Sequence, residues 1–175
     1  MSLKYLRRDF DSICSECSFS DKLKQAVFSH TFHLIIIIRI GQTLSSLPLI
    51  GSLLRIFIEY FIRIIFASDI SCKSSIGPGF QIQHGHDIVI GADVKIGKKC
   101  KIFNGVTLGN KDTTKSSIDQ QPNIGDNVTI GSGAKILGPI NIGNNSNIGA
   151  NSVVLKSFPS NSIIVGVPAI NKNIV

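Results

Sequence analysis

Large aliphatic residues recur through the second half of the chain at positions 70, 76 and 82, then 90, 96, 102 and 108, then 124, 130, 136, 142, 148 and 154. Every interval is six residues except two: 82 to 90 is six plus two, and 108 to 124 is six plus ten. Twelve of the thirteen positions are Ile or Leu and the last is Val, and Gly follows directly at 77, 91, 97, 109, 125, 131, 143 and 149. A period of six fits neither a helix of about 3.6 residues per turn nor a strand alternating with a period of about 2. It fits a hexapeptide β-helix, in which each unit is one short strand and three units close a coil. Thirteen units predict slightly more than four coils, each large aliphatic pointing inward onto its counterpart one coil away. The fourth residue after it is usually small or β-branched (Ser74, Val94, Cys100, Val106, Val128, Ala134, Ser146, Ser152) and fills the corner. Gly, Asn and Asp in between accept the left-handed backbone angles of tight corners. The two long intervals predict insertions, which in solenoids often carry function.

Before Asp69 the pattern changes to long apolar stretches with few glycines, which sets a boundary between residues 66 and 70 and predicts a helical region (1–68) ahead of the β-helix (69–175). Asp21 is read as the cap of one helix running through Lys24, Ala26, Val27 and Phe32 to Ile35, Ile38 and Arg39. Residues 41–48 read as a break. Residues 49–66 form a second helix on which Arg55, Glu59 and Arg63 make one polar stripe. The longest uncharged window, 40–54, has 15 residues, short of the roughly 20 a membrane span needs. The first reading of this helix is burial in an oligomer; the second is attachment to a membrane surface, with the Arg side chains at the headgroups.

Composition narrows the picture. Isoleucine fills thirty of the 175 positions, as an aliphatic stack demands, and with 17% charged and 43% hydrophobic residues a disordered chain is excluded. The net charge of +7 favours anionic partners, but with no Trp and two Tyr the chain lacks stacking platforms for nucleic acid. Cys14, Cys17, Cys72 and Cys100, in a chain without a secretory pattern, are expected as free thiols in a cytoplasmic protein.

The phrases FQIQHGHDIVIG (80–91), NGVTLGN (104–110), IGSGAKILG (130–138), IGANSVVLK (148–156) and VGVPA (165–169) together resemble the hexapeptide-repeat acyltransferases. The resemblance covers roughly residues 30–170 and lies with the serine acetyltransferase group and its polysaccharide O-acetyltransferase relatives, such as the colanic acid acetyltransferase. It implies a mainly β protein, a left-handed parallel β-helix behind an N-terminal α-helical segment. It further implies a homotrimer, with trimers pairing through the N-terminal helices as an option, acetyl-CoA as donor and no metal. His84 falls where this group keeps its catalytic histidine, inside the first irregular interval, and Asp69 matches the carboxylate fifteen residues earlier. A hydroxyl is a poor nucleophile, so an imidazole must take its proton as it attacks a thioester, with a carboxylate stabilising the imidazolium. Backbone N–H groups near Gly109 or Asn110 are candidate oxyanion donors. The loop at about 110–121 resembles one that reaches a neighbouring subunit's site, with Lys111 and Lys115 able to meet CoA phosphates. Gly131, Ser132, Gly133, Ala134, Gly149 and Ala150 match the edge that receives the pantetheine arm, and Lys156 and Lys172 the basic residues at its nucleotide end. The family's arginine after VGVPA is replaced by Ile170.

The serine pattern itself is incomplete. Where serine acetyltransferases carry Arg-His-Pro, this chain has Gln120, Gln121 and Pro122, and the acidic residue before the catalytic histidine is Gln83. Neutral amides replace charge-assisted contacts to both ends of an amino acid. The expected acceptor is therefore a hydroxyl of a glycan or polysaccharide precursor, carried in one version on a lipid phosphate at the cytoplasmic membrane face, with Gln83, His86, Gln120 and Gln121 as contacts; serine or another small hydroxyl compound is the alternative. Readings from other classes are a zinc site at Cys14, Cys17, His30 and His33, a hydratase resembling γ-class carbonic anhydrases, for which only His84 and His86 lie in the repeat, and a non-catalytic scaffold.

Overall fold

A computed structural model describes the chain except Met1, Ser15, Glu16, Leu49, Thr113, Lys115, Ile174 and Val175. Helices α1 (Leu6–Ile13), α2 (Phe19–Phe28), α3 (His30–Leu44) and α4 (Gly51–Phe66) precede a parallel β-solenoid. Its first face stacks Asp69–Ile70, Val89–Ile90, Thr107–Gly109, Lys135–Leu137 and Val153–Val154. The second stacks Ser75–Ile76, Lys95–Ile96, Asn123–Ile124 and Asn141–Ile142, and the third Gln81–Gln83, Lys101–Phe103, Thr129–Ile130, Asn147–Ile148 and Ile163–Gly166. All thirteen repeat positions are at most 4% exposed. They stand in register one coil above another, Ile70 on Ile90 on Leu108 on Ile136 on Val154, which is why a β-branched aliphatic recurs.

The solenoid has five coils rather than slightly more than four. Phe158 bridges to Ile142 on the second face and Ile164 pairs with Ile148 on the third. The turn from Val154 to Phe158 is four residues, two shorter than the period, and that deletion hides the last coil in the sequence. Ala169–Asn171 then folds back antiparallel and covers the outer strand of the third face.

The helices close the other end. A first coil has unpaired backbone groups along its outer edge, which must be satisfied. Asp9 Oδ1 accepts from the N–H groups of Gly79 (2.7 Å) and Phe80 (3.0 Å), and Arg39 donates to the carbonyls of Ile76 and Gly77, both at 2.6 Å. Gln42 donates to Ser74 O at 2.8 Å, and Glu59 Oε1 accepts from Cys72 N at 2.8 Å. The Arg55–Glu59–Arg63 stripe thus faces the solenoid, while Leu53, Ile56, Phe57, Tyr60, Phe61, Ile64 and Ile65 of α4 remain exposed.

Expectations for the helical region change as well: α3 continues through Gly41 to Leu44, so the break expected at 41–48 begins only at Ser45. The single helix through Asp21 and Arg39 is two, bent by 64° at Ser29, because Ser29 adopts ψ 104° and its hydroxyl caps α3 by accepting from Phe32 N; Ser18, not Asp21, caps α2. Cys14 and Cys17 are not free thiols but a disulfide, their Cα atoms brought to 5.0 Å at the end of α1; Cys72 and Cys100 are free and buried. Among the described residues no single helix is long and apolar enough to cross a membrane.

Candidate active site

The two-residue insertion after Ile82 is clamped from three sides. Ala67, left-handed at φ 46°, ends α4, and its carbonyl accepts from Asp87 N at 2.9 Å. Ser68 Oγ accepts from Ile88 N at 3.2 Å, and Asp69 N donates to Ile88 O at 2.8 Å. From the next coil, Gly105 N donates to His86 O at 3.2 Å. From below, α3 presses on Gly85, where a Cβ would stand 3.1 Å from Leu34 Cδ2 and 3.4 Å from Thr31 Cγ2. His84 is held at φ 56° and Asp87 at φ 55°, the left-handed conformation that coil corners also take at Lys99, Asn127, Asn145 and Asn151. The side chains of His84, His86 and Asp69 are exposed, and the stitched segments carry His84 and Asp69 on neighbouring strand ends. Asp69 Oδ1 accepts from Arg63 Nη2 at 2.7 Å; Oδ2 and both imidazoles make no side-chain hydrogen bond among the described residues. Gln83 ends the strand beside Phe103, half-buried.

Above this loop, the corner between third and first faces is a column of small residues. Gly133 N donates to Asn104 O at 2.9 Å, Asn151 N to Ser132 O at 2.8 Å, and Ser132 Oγ to Asn104 Oδ1 at 3.1 Å. A Cβ at Gly131 would come within 2.7 Å of Ala150 N, so coil spacing itself requires glycine there. Gly149 and Ala150 continue the column; Ala134 points into the core, 0% exposed, and contributes only backbone. An edge so poor in side chains leaves open space along the backbone in which an extended ligand could lie. Lys135, which the sequence did not single out, bridges Gly105 O (2.6 Å) and Thr107 Oγ1 (3.0 Å) beside it.

The remaining candidates stand elsewhere. Gly109, Asn110, Lys111, Gln120, Gln121 and Lys156 lie at the corner between first and second faces, across the first face from His84. A Cβ on Gly109 would meet nothing within 4 Å. The loop closes on Asp93, whose Oδ2 accepts from Asp119 N (2.7 Å) and whose N–H donates to Gln121 Oε1 (2.8 Å). Gln120 turns to Asp119 O, and Lys156 Nζ sits 5.6 Å over the Phe158 ring. Lys172 bonds Ile163 O through its N–H at 2.8 Å beside the third face. Lys115 lies outside the described residues. Of the zinc reading, Cys14 and Cys17 are joined to each other and His33 Nε2 lies 3.1 Å from Ala26 O.

The sequence matches the family models for bacterial transferase hexapeptide (six repeats) at 121–156 and hexapeptide repeat of succinyl-transferase at 87–111. It is 47% identical over 106 residues to a serine acetyltransferase of Staphylococcus aureus, covering 61% of this chain and 49% of the relative; the chain spans about half the length of the curated relatives it matches. Among solved structures it is similar to the Brucella abortus serine acetyltransferase in complex with coenzyme A (TM-score 0.87, 30% identity, 97% of this chain and 67% of that one). It is likewise similar to the Neisseria gonorrhoeae serine acetyltransferase in complex with serine (TM-score 0.83, 31% identity, 97% and 68%). These relatives overturn the expected glycan or polysaccharide acceptor. Gln121, expected as an acceptor contact, is instead 8% exposed and pegs the loop against Gly91 and Asp93, so its neutrality carries no information about the charge of an acceptor.

Proposed function

Since the chain belongs to the hexapeptide-repeat acyltransferases, in the serine acetyltransferase-like group, we propose that it transfers the acetyl group of acetyl-CoA to the side-chain hydroxyl of L-serine. The observation that carries this reading is His84, held left-handed on a loop stitched to the strand end that bears Asp69. His84 takes the hydroxyl proton as the serine oxygen attacks the thioester carbon. Asp69 stabilises the imidazolium that forms. Collapse of the tetrahedral intermediate breaks the C–S bond, and the imidazolium returns its proton to the departing thiolate, giving O-acetylserine and free CoA. Backbone N–H groups at Gly109 and Asn110 of a neighbouring copy are the candidate donors to the oxyanion. The Gly131–Ser132 and Gly149–Ala150 edge receives the pantetheine arm, Lys111, Lys156 and Lys172 serve its phosphates, and Gln83 and His86 face the acceptor.

The assembly in this reading is a homotrimer. His84 and the small-residue edge occupy one corner, and the 110–121 loop the other, so three copies joined edge to edge bring one chain's loop to the next chain's His84. The apolar face of α4 is then buried between copies, whether within a trimer or between paired trimers. Neither substrate requires a membrane surface.

Thiol release from acetyl-CoA tests the reading. L-serine should support turnover, and His84→Ala should lower it by about a hundredfold or more with an unchanged melting temperature, the side chain being exposed. Turnover with a glycan but not serine, or an unimpaired His84→Ala enzyme, overturns it.

A further inference from the structure

Arg63 has no part in the scheme above, yet it makes the one side-chain bond that Asp69 has among the described residues, Nη2 to Oδ1 at 2.7 Å. Both side chains are more than half exposed, 57% and 56%, so the pair adds little to folding and its geometry calls for another explanation. That geometry is built by the chain. Arg63 stands in the last turn of α4, Ala67 reverses direction at φ 46°, and the first strand starts at Asp69, which brings the two side chains together. Glu59, one turn earlier, does not compete for the guanidinium: Oε2 accepts from Arg55 (2.7 Å) and Oε1 from Ser71 Oγ (3.1 Å) and Cys72 N (2.8 Å). Asp69 in turn holds Arg63 above its ordinary pKa, through the hydrogen bond first and the charge second. The charged and titratable groups around the junction are Arg63, Glu59 and Arg55 from α4, and His84, His86 and Asp87 from the clamped loop.

We propose that Arg63 is the positioning residue of the base: it clamps Asp69 Oδ1 so that Oδ2 remains for the imidazole of His84, and by sharing the carboxylate's charge it keeps that imidazole less basic than a lone carboxylate would. This rests on the reading of His84 and Asp69 as base and partner. An ionised carboxylate favours the imidazolium and raises a histidine's pKa; a guanidinium bound to the same carboxylate offsets that rise. The consequence is a base whose imidazole is oriented by the one carboxylate oxygen that Arg63 leaves to it.

The test is an NMR titration of the His84 ring in the full-length protein, identified by its loss in His84→Ala, alongside pH profiles of kcat/KM for serine acetylation. Arg63→Gln should raise the His84 pKa, and with it the acidic limb of the profile, by about half a pH unit, and lower kcat severalfold. Arg63→Lys keeps the charge and should restore the pKa but not the full kcat, since an ammonium cannot present the same fork. Asp69→Asn should move the His84 pKa down. A His84 pKa that is the same in Arg63→Gln as in the wild type overturns the proposal, as does a fall in kcat with the limb unmoved, which marks a merely structural role. If the ring titrates as expected while His84→Ala still acetylates serine at the wild-type rate, the assignment of the base has failed, and the coupling of Arg63 to the His84 ring stands without it.

Discussion

Asp9 and Arg39 are 0% and 1% exposed and meet at 2.9 Å, with the carboxylate also holding the amides of Gly79 and Phe80. Removing one member of a buried pair strands the other, at a cost of about 3–5 kcal/mol. Asp9→Ala is therefore expected to lower stability by that order in urea unfolding, with the first coil losing protection in hydrogen exchange. Nothing local marks Asp9 in the sequence: it sits among charged neighbours, and its partner is thirty residues away. Burial also sets the state of the two free thiols, pushing Cys72 up to about 12 and Cys100 up to about 11 from an ordinary 9.0. A thiol that stays protonated in the fold but ionises in the unfolded chain stabilises the fold below the unfolded value and stops doing so as pH rises toward the folded one. Stability should thus decline from about pH 9 to pH 12, and at pH 8 an alkylating reagent should leave both thiols of the native protein unmodified, as intact mass would show.

At the scale of elements, the coils were legible because a solenoid repeats one local decision: Ile82, Ile102 and Ile130 stack in register, and each carries the same six-residue signal. Gly97 shows how tightly the coils are spaced, for a Cβ there would stand 2.5 Å from Gly125 O and overlap Asp126. Gly97→Ala should cost about 1–3 kcal/mol in thermal unfolding, reversing the gain that removing a glycine gives an open site. The helical cap was less legible. Periodicity shows that Arg55, Glu59 and Arg63 share a face but not that the face meets unpaired backbone, as Glu59 does at Cys72 N. The break at Ser29 escaped for a related reason: the apolar pattern continues across it, and only the cap geometry divides α2 from α3. At the site, the interval around His84 drew attention because it broke the period. Arg63 did not, because its partner Asp69 lies beyond a helix end whose left-handed turn at Ala67 carries no glycine to announce it.

For the whole molecule, His84 and the 110–121 loop stand on opposite edges of the first face, and the proposed homotrimer would bring them together between neighbouring copies. Sedimentation should give three times the 18.9 kDa chain mass. Co-refolding His84→Ala chains with chains lacking residues 112–118 should restore activity in mixed trimers that neither parent has alone; a mixture as inactive as its parents would mean that each chain's site is its own. The choice of acceptor lies at this scale too, and it could not be taken from Gln120 and Gln121, whose surroundings depend on how the loop folds onto Asp93. The most direct measurement of the central claim is an NMR experiment at neutral pH with acetyl-CoA labelled with carbon-13 in the acetyl group and unlabelled L-serine. The wild-type protein should move the label to the serine side-chain oxygen, and His84→Ala should leave it on the thioester. A label that remains on CoA with the wild type, or that reaches serine equally well without His84, would contradict the account.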